Sequence, residues 1–466
     1  MHLPNNGVWH LRLIACPAAV LMLAATLAGC TKTLPPASLP QVAGGAGSGT
    51  ITWLADPTAL TAGNDMRQVL ADAFEEAYPS ITVNLETGPT STDALRAQLT
   101  SQLASGHGPD VYDGDVVWTS SFASAGYALP LSKYLPPEFW RTFGKSGGPS
   151  SGASFVQDLT YNHVIYGVPE FIDEGLLYYR RDLLAKAHLS PPRTWEELEH
   201  DALVLLSEGA KSYQYVWQGD NYEGLTCDWY EFLADEFGGL PPGTSPATEL
   251  DSVQAQAALR FMQGLISKGI SPPSVDTSQE PDTNSAFATG RAAFMRGWDS
   301  AYASVTSGPN ALHPDQVGVE PLPTFQGSSG PGWSTLGGWG LFINPRTPNP
   351  AAARTFVEWM AGPAAQWILA TQYSELPANA SIRSDPAVIS RSPVLQAAVH
   401  THIVLRPSVT IDYAQLSEAI YDNVNAALRA PASAPGACVD LLRAARTLDP
   451  AVTGGLSCPA LPGGGR

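Results

Sequence analysis

Between Trp217 and Cys227 the chain reads W-Q-G-D-N-Y-E-G-L-T-C, setting Trp217, Tyr222 and Glu223 beside two glycines. An aromatic face can lie on the C–H face of a pyranose, and a carboxylate can accept from two neighbouring hydroxyls. Glycine lets the backbone come close to both. The same aromatics could be interior packing, so a ligand pocket and a core segment both remain open for this stretch. Two carboxylate pairs could support acid–base chemistry. Asp113 and Asp115 have the i, i+2 spacing that shares one face of a strand, and Asp173 and Glu174 are adjacent. Carboxylates that hold hydroxyls and carboxylates that cleave a glycosidic bond look alike in sequence, so a binder and a glycoside hydrolase are the competing classes. Gly148-Pro149-Ser150-Ser151-Gly152 spells G-x-S-x-G, but it lies in a Gly/Ser/Pro loop without the strand-to-helix turn a nucleophile elbow requires. None of the nine histidines forms H-E-x-x-H and no C-x-x-C occurs, so neither a metal nor a cofactor is expected.

The elements that must position these groups follow from periodicity. Gly49 to Leu54 reads as a strand, about Asp65 to Tyr78 as a helix with Met66, Val69, Leu70 and Phe74 on one face, and Ile81 to Leu85 as a second strand. Asp93 to Ser105 is a helix by its Leu95, Leu99, Leu103 spacing, and Asp110 to Val117 a third strand. This β-α-β-α-β order predicts a parallel, doubly wound sheet, with ligands beyond the carboxyl ends of its strands, where Asp115 and Trp118 fall. Glu174 to Arg180 reads as a strand. Thr194 with Glu197 forms a capping box that opens a helix. Segments up to about Met295 make a second α/β unit. The strands at Val317 to Pro321 and Leu336 to Ile343 are expected to return to the first sheet, so the chain crosses between units more than once.

With 43 acidic against 25 basic side chains and a net charge of −18, the chain repels nucleic acid, and no basic stretch with interleaved aromatics offsets this. Arg12 precedes an apolar run from Leu13 to Leu27 that ends in Leu27-Ala28-Gly29-Cys30. This resembles a bacterial lipobox: cleavage before Cys30 and lipid on its thiol would leave the protein anchored on the outer side of the cell membrane. The run is shorter than the roughly 20 residues a spanning helix needs. A Ser/Gly/Ala/Pro stretch then reads as a flexible tether. Cys438 and Cys458 can form a disulfide in a C-terminal extension, which leaves Cys227 as a buried small hydrophobe.

Several stretches together resemble the extracellular solute-binding proteins of bacterial sugar ABC transporters, and within them the trehalose/maltose-binding group. They are Asp113–Trp118, Asp173–Arg180, Thr194–Leu198, the Trp217–Cys227 segment, Phe287–Met295, Leu336-Gly337-Gly338-Trp339 and Leu405-Arg406-Pro407. The resemblance implies an α/β, two-lobed periplasmic-binding-protein-like fold, each lobe a doubly wound sheet, with a ligand cleft between lobes and a hinge crossed more than once. It implies residues 1–29 as signal peptide, 30–49 as tether, 50–168 with about 319–372 as lobe one, about 169–318 with 373–430 as lobe two, and 431–466 as extension.

Carried over residue by residue, it implies that Asp115, Asp173 and Arg406 bind sugar hydroxyls and that Trp298 and Trp339 stack on the rings, with the Gly337 and Gly338 amides close by. Glu223 and Tyr222 are further candidates, and Asn64 or Asp65 a last polar contact. Plainer roles stand beside these: Asp115 as a helix cap, Asp173 in a turn, Arg406 in an ion pair, both tryptophans in the core. Relatives follow the tryptophan at Trp298 with Pro and an aromatic, where this chain has Asp299 and Ser300, so a stacking surface is either missing or supplied by Tyr302. The implied activity is capture, without catalysis, of an α-linked disaccharide such as trehalose or maltose by a monomer that delivers it to an ABC permease. A longer α-glucan or a glycerophosphodiester is the alternative ligand.

Overall fold

The computed structural model describes residues 45–429 apart from 56–59, 62–63, 90, 145–151, 210–212, 242–245, 251, 308–309 and 409–411. The expectations for the signal peptide, Cys30, most of the tether and the Cys438–Cys458 extension lie outside the described residues. The first strands form where the periodicity places them: β1 (Gly49–Ala55), β2 (Ile81–Thr87) and β3 (Val111–Asp115). Between them, α1 (Met66–Ala77) is capped by Asp65. Ser91 caps α2 (Thr92–Ser105), which ends on left-handed Gly106 and buries Leu95, Leu99 and Leu103. β1 pairs in parallel with both β2 and β3, and its Ile51, Trp53 and Leu54 are buried, as a strand covered on both faces requires.

The sheet is completed by strands from far along the chain. β4 (Gly167–Glu174) leads through Gly175 into β5 (Leu176–Arg180), followed by β6 (Tyr215–Val216), β7 (Phe294–Gly297), β8 (Val317–Pro321), β9 (Trp333–Ile343), β10 (Leu376–Pro377) and β11 (His402–Val404). The first sheet runs β10-β4-β9-β3-β1-β2, with β11 also on β9, and its β3–β9, β9–β4 and β4–β10 pairs are antiparallel. The second sheet runs β6-β7-β5-β8.

Two sequence expectations change here. Glu174 to Arg180 is not one strand, because β4 ends in the first sheet and β5 begins in the second. Gly175 marks the passage: a side chain there would run into the Glu231 carboxylate and the Arg296 guanidinium. Val317 to Pro321 does not return to the first sheet. It pairs antiparallel with β5 over five residues, where Gly318 leaves room for the Tyr179 ring. The hydrophobic pattern of so short a strand fits either sheet, and only the long-range pairing decides. The second sheet is accordingly mixed, with β6–β7 its parallel pair. Leu376–Pro377 and all of β4 belong to the first sheet.

The second core is built around Trp195, Trp217, Trp229 and Phe232. Helices α3 (Trp195–Ser207), opened by the Thr194–Glu197 capping box, and α4 (Glu223–Phe237) frame it. Asp235 of α4 sits in this core, accepting from Trp195 Nε1 at 2.8 Å and from the Trp333 amide at 3.0 Å. Burial pushes its carboxyl up to about 8. The unfolded chain releases that proton near pH 4, so between about pH 4 and pH 8 the folded state holds a proton the unfolded state has lost. Stability from this group therefore falls as pH rises through that window. Melting curves from about pH 5 to about pH 8 should show a declining midpoint that Asp235→Asn flattens. Parallel profiles for the two proteins would contradict this.

Candidate functional site

A cleft is lined on one side by strands of the first sheet and on the other by helix and loop residues of the second lobe. The first contributes Asp115 at the end of β3, Phe171 and Asp173 of β4, and Gly337, Gly338 and Trp339 of β9. The second side contributes Tyr222, Glu223, Gly224 and Cys227 at the start of α4, together with Trp298, Ser300 and Glu280. Glu375, Thr92 and Arg406 complete it. Register explains part of this convergence: Trp339 lies opposite Asp115 on one side and Phe171 on the other. A bulge after Trp339 and the φ of +119° at Gly338 turn the strand there. A side chain at 338 would also collide with the Phe171 carbonyl, so the L-G-G-W sequence is a requirement of backbone geometry.

Arg406, just after β11, ties the two sides together. Its Nη1 and Nη2 donate to Asp115 at 3.1 and 2.8 Å, and Nη1 also donates to Glu223 Oε1 at 2.7 Å. All three residues are buried. Glu223 further accepts from Tyr413 Oη at 2.5 Å and Ser417 Oγ at 2.6 Å, both on α5 (Tyr413–Arg429). Asp115 also accepts from the Val117 amide at 3.2 Å. Each carboxylate thus receives three of the roughly four hydrogen bonds it can accept, which leaves each about one position for a ligand hydroxyl. Burial pushes the Glu223 carboxyl up; Arg406 pulls it down, and the Asp115 carboxylate adds to the rise. Arg406 Nε is buried and has no hydrogen bond.

The aromatic walls are held as firmly. Trp298 is half-buried, with the Arg296 guanidinium 3.7 Å from its ring centroid and its Nε1 donating to Glu280 Oε1 at 3.2 Å. Gly337 keeps the space over the ring clear, since a side chain there would press on it. Trp339 packs edge-on against Trp118 at 5.6 Å. Arg296 is itself buried between Asp228 at 3.0 Å and Glu231 at 2.6 Å, and donates to Gln218 Oε1 at 3.2 Å.

The structure gathers Asp115, Asp173, Tyr222, Glu223, Trp298, Gly338, Trp339 and Arg406 in one cleft. Asp65 is not with them: it caps α1 and holds Arg67 Nε at 2.8 Å. Asn64 lies in the short strand Asn64–Asp65 before that helix. Trp217 is core, fully buried with its Nε1 on Ser271 Oγ at 3.1 Å. Tyr302 does not replace the missing ring; it packs against the core, and Ser300 faces the cleft. Asp113 accepts from Trp53 Nε1 at 2.7 Å inside the first core, so it forms no pair with Asp115 in the cleft. Glu174 is buried and paired with Arg383 at 3.2 Å. Arg406 lines the cleft, and its fork is engaged there by the Asp115 and Glu223 carboxylates as a buried ion pair. Sequence reasoning missed Glu280, Glu375 and Thr92, which no local pattern marks. It also missed Tyr413 and Ser417, whose hydroxyls lie one helical turn apart on a face otherwise lined by Leu416, Ile420 and Val424. That polar pair on an apolar stripe was a usable signal.

The pattern of the bacterial extracellular solute-binding proteins matches residues 57–367. A probable ABC transporter-binding protein of Deinococcus radiodurans is 34% identical over 382 residues, covering 80% of this chain and 87% of its own. Among solved structures, maltose-bound MalE3 of T. maritima superposes with a TM-score of 0.75 at 31% identity, over 86% of this chain and 99% of the other. The GacH receptor of Streptomyces glaucescens, solved unliganded and with acarbose, shares the fold with a TM-score of 0.71 at 23% identity, over 86% and 98%. The two-lobed architecture, the cleft lined from two sides and these similarities agree: the chain belongs to the bacterial extracellular solute-binding protein family.

Proposed function

We propose that this protein captures a neutral α-linked disaccharide, trehalose or maltose, in the cleft and hands it to an ABC permease by lobe closure. The observation that carries the reading is the pairing of two tryptophan walls with carboxylates from both sides of one cleft. A neutral sugar offers no charge to grip, so affinity comes from oriented hydrogen bonds, those to charged groups contributing about 1.5–3 kcal/mol each, together with stacking. Asp115 and Glu223 each retain about one acceptor position, and Asp173 adds a carboxylate from β4. Arg406 joins Asp115 on one side to Glu223 on the other, so contacts that reinforce this triad favour the closed arrangement, which the permease reads as occupancy. The lining counts five carboxylates against Arg406, which disfavours a phosphodiester. Similarity to a maltose-bound protein supports the sugar reading. Lipid on Cys30, attachment to the outer face of the cell membrane and a monomeric state belong to the same proposal.

Incubation of the pure protein with trehalose or maltose separates binder from hydrolase. The expected result is a raised melting temperature with the sugar recovered intact. Released glucose would sink the proposal.

A further inference from the structure

We propose that Asp173, Asp299 and Glu375 form a divalent-cation site of calcium type in the floor of the cleft. One oxygen from each can be chosen so that all lie within 4.8 Å of one another. Oxygens bound to one calcium ion at about 2.3–2.6 Å can stand at most about 4.6–5.2 Å apart, so a shared centre is within reach of all three side chains. The three come from separately anchored elements. Asp173 is in β4, Glu375 immediately precedes β10, which pairs with β4, and Asp299 follows β7. The backbone at Asp299 is pinned by Tyr178 Oη, which donates to the Trp298 carbonyl at 2.6 Å and the Asp299 carbonyl at 3.0 Å.

Proximity of acidic groups alone would not make a site; the state of Asp299 does. It is fully buried, its Oδ2 accepts from the Leu376 amide at 2.7 Å, and its Oδ1 lies inside the protein with no N–H or hydroxyl donor against it. A buried carboxyl oxygen without a donor is costly, and a bound cation would remove that cost. Calcium suits the arrangement because it accepts six to eight oxygens in irregular geometry, whereas magnesium demands a near-ideal octahedron. Asp173 and Glu375 border the cleft, so the remaining positions open toward it, where water or a hydroxylated ligand completes the shell. The rival account is a proton shared between Asp299 and Asp173, which lie within hydrogen-bonding reach.

The test is calorimetric titration of the chelator-treated full chain with calcium chloride in the absence of sugar, followed also by tryptophan fluorescence, since Trp298 adjoins Asp299. The expected result is one saturable site with a dissociation constant on the order of 10⁻⁴–10⁻³ M or tighter, and a higher melting temperature with calcium. Asp299→Asn and, separately, Glu375→Gln should weaken it by about tenfold or more while circular dichroism stays native. Absence of saturable heat and of any melting shift in the wild type would overturn the site. So would calcium binding that both variants keep, or a wild type indifferent to calcium whose Asp299→Asn variant is stabilised, the mark of the shared proton. Because no sugar is present, these failures leave the sugar-capture reading untouched.

Discussion

Arg406→Ala should abolish disaccharide binding and also destabilise the protein. The guanidinium holds Asp115 by two hydrogen bonds and Glu223 by one, and all three groups are buried. Removing it leaves two carboxylates close together without a cation, a change that typically costs about 3–5 kcal/mol when one partner of a buried pair is lost. Both carboxylates then take up protons or swing apart, and the two acceptor positions offered to a sugar disappear with them. Arg406→Lys should recover part of the stability and little of the binding, because an ammonium cannot span two carboxylates with a fixed fork. Urea denaturation gives the first quantity and calorimetry the second. Full affinity in Arg406→Ala would show that the triad is only structural.

Arg296→Ala should cost a comparable 3–5 kcal/mol or so, with damage to the cleft following from it. Arg296 lies between Asp228 and Glu231 in the second core and supports Trp298 from behind. Burial pushes both carboxyls up, and Arg296 opposes that rise in each. Without the guanidinium they must become neutral, and Trp298 loses the flat surface that holds its ring toward the cleft. The triple variant Arg296→Met, Asp228→Asn, Glu231→Gln should recover much of the lost stability, since replacing a whole buried ion cluster is far milder than breaking it. If Arg296→Ala unfolds at the wild-type urea concentration, the cluster does not hold this lobe together.

Much of the architecture was legible because local signals agreed. Leu95, Leu99 and Leu103 marked a helix and its buried face, Thr194 and Glu197 the start of α3, and the β1-to-β3 order a parallel sheet. What stayed hidden depended on pairings across the chain. Val317–Pro321 carries the same short apolar pattern whichever sheet receives it, and only its register with β5 settles the matter. Within the cleft, motifs with backbone demands were readable: Gly338 needs its positive φ, and Trp339 follows from it. Side chains set by tertiary contacts were not. The Trp217–Cys227 segment divides accordingly, with Trp217 in the core and Glu223 at the helix start in the ion triad. Asp65 was drawn toward the site by its place at a helix start, but the capping role and Arg67 occupy it.

The most direct measurement is calorimetric titration of the protein with trehalose, maltose, a longer α-glucan and a glycerophosphodiester, repeated with Asp173→Ala. Saturable binding of one α-linked disaccharide per chain is predicted, with affinity lost in Asp173→Ala while its circular dichroism remains native. A protein that ignores both disaccharides and binds the phosphodiester, or whose disaccharide affinity is unchanged by Asp173→Ala, would contradict the account.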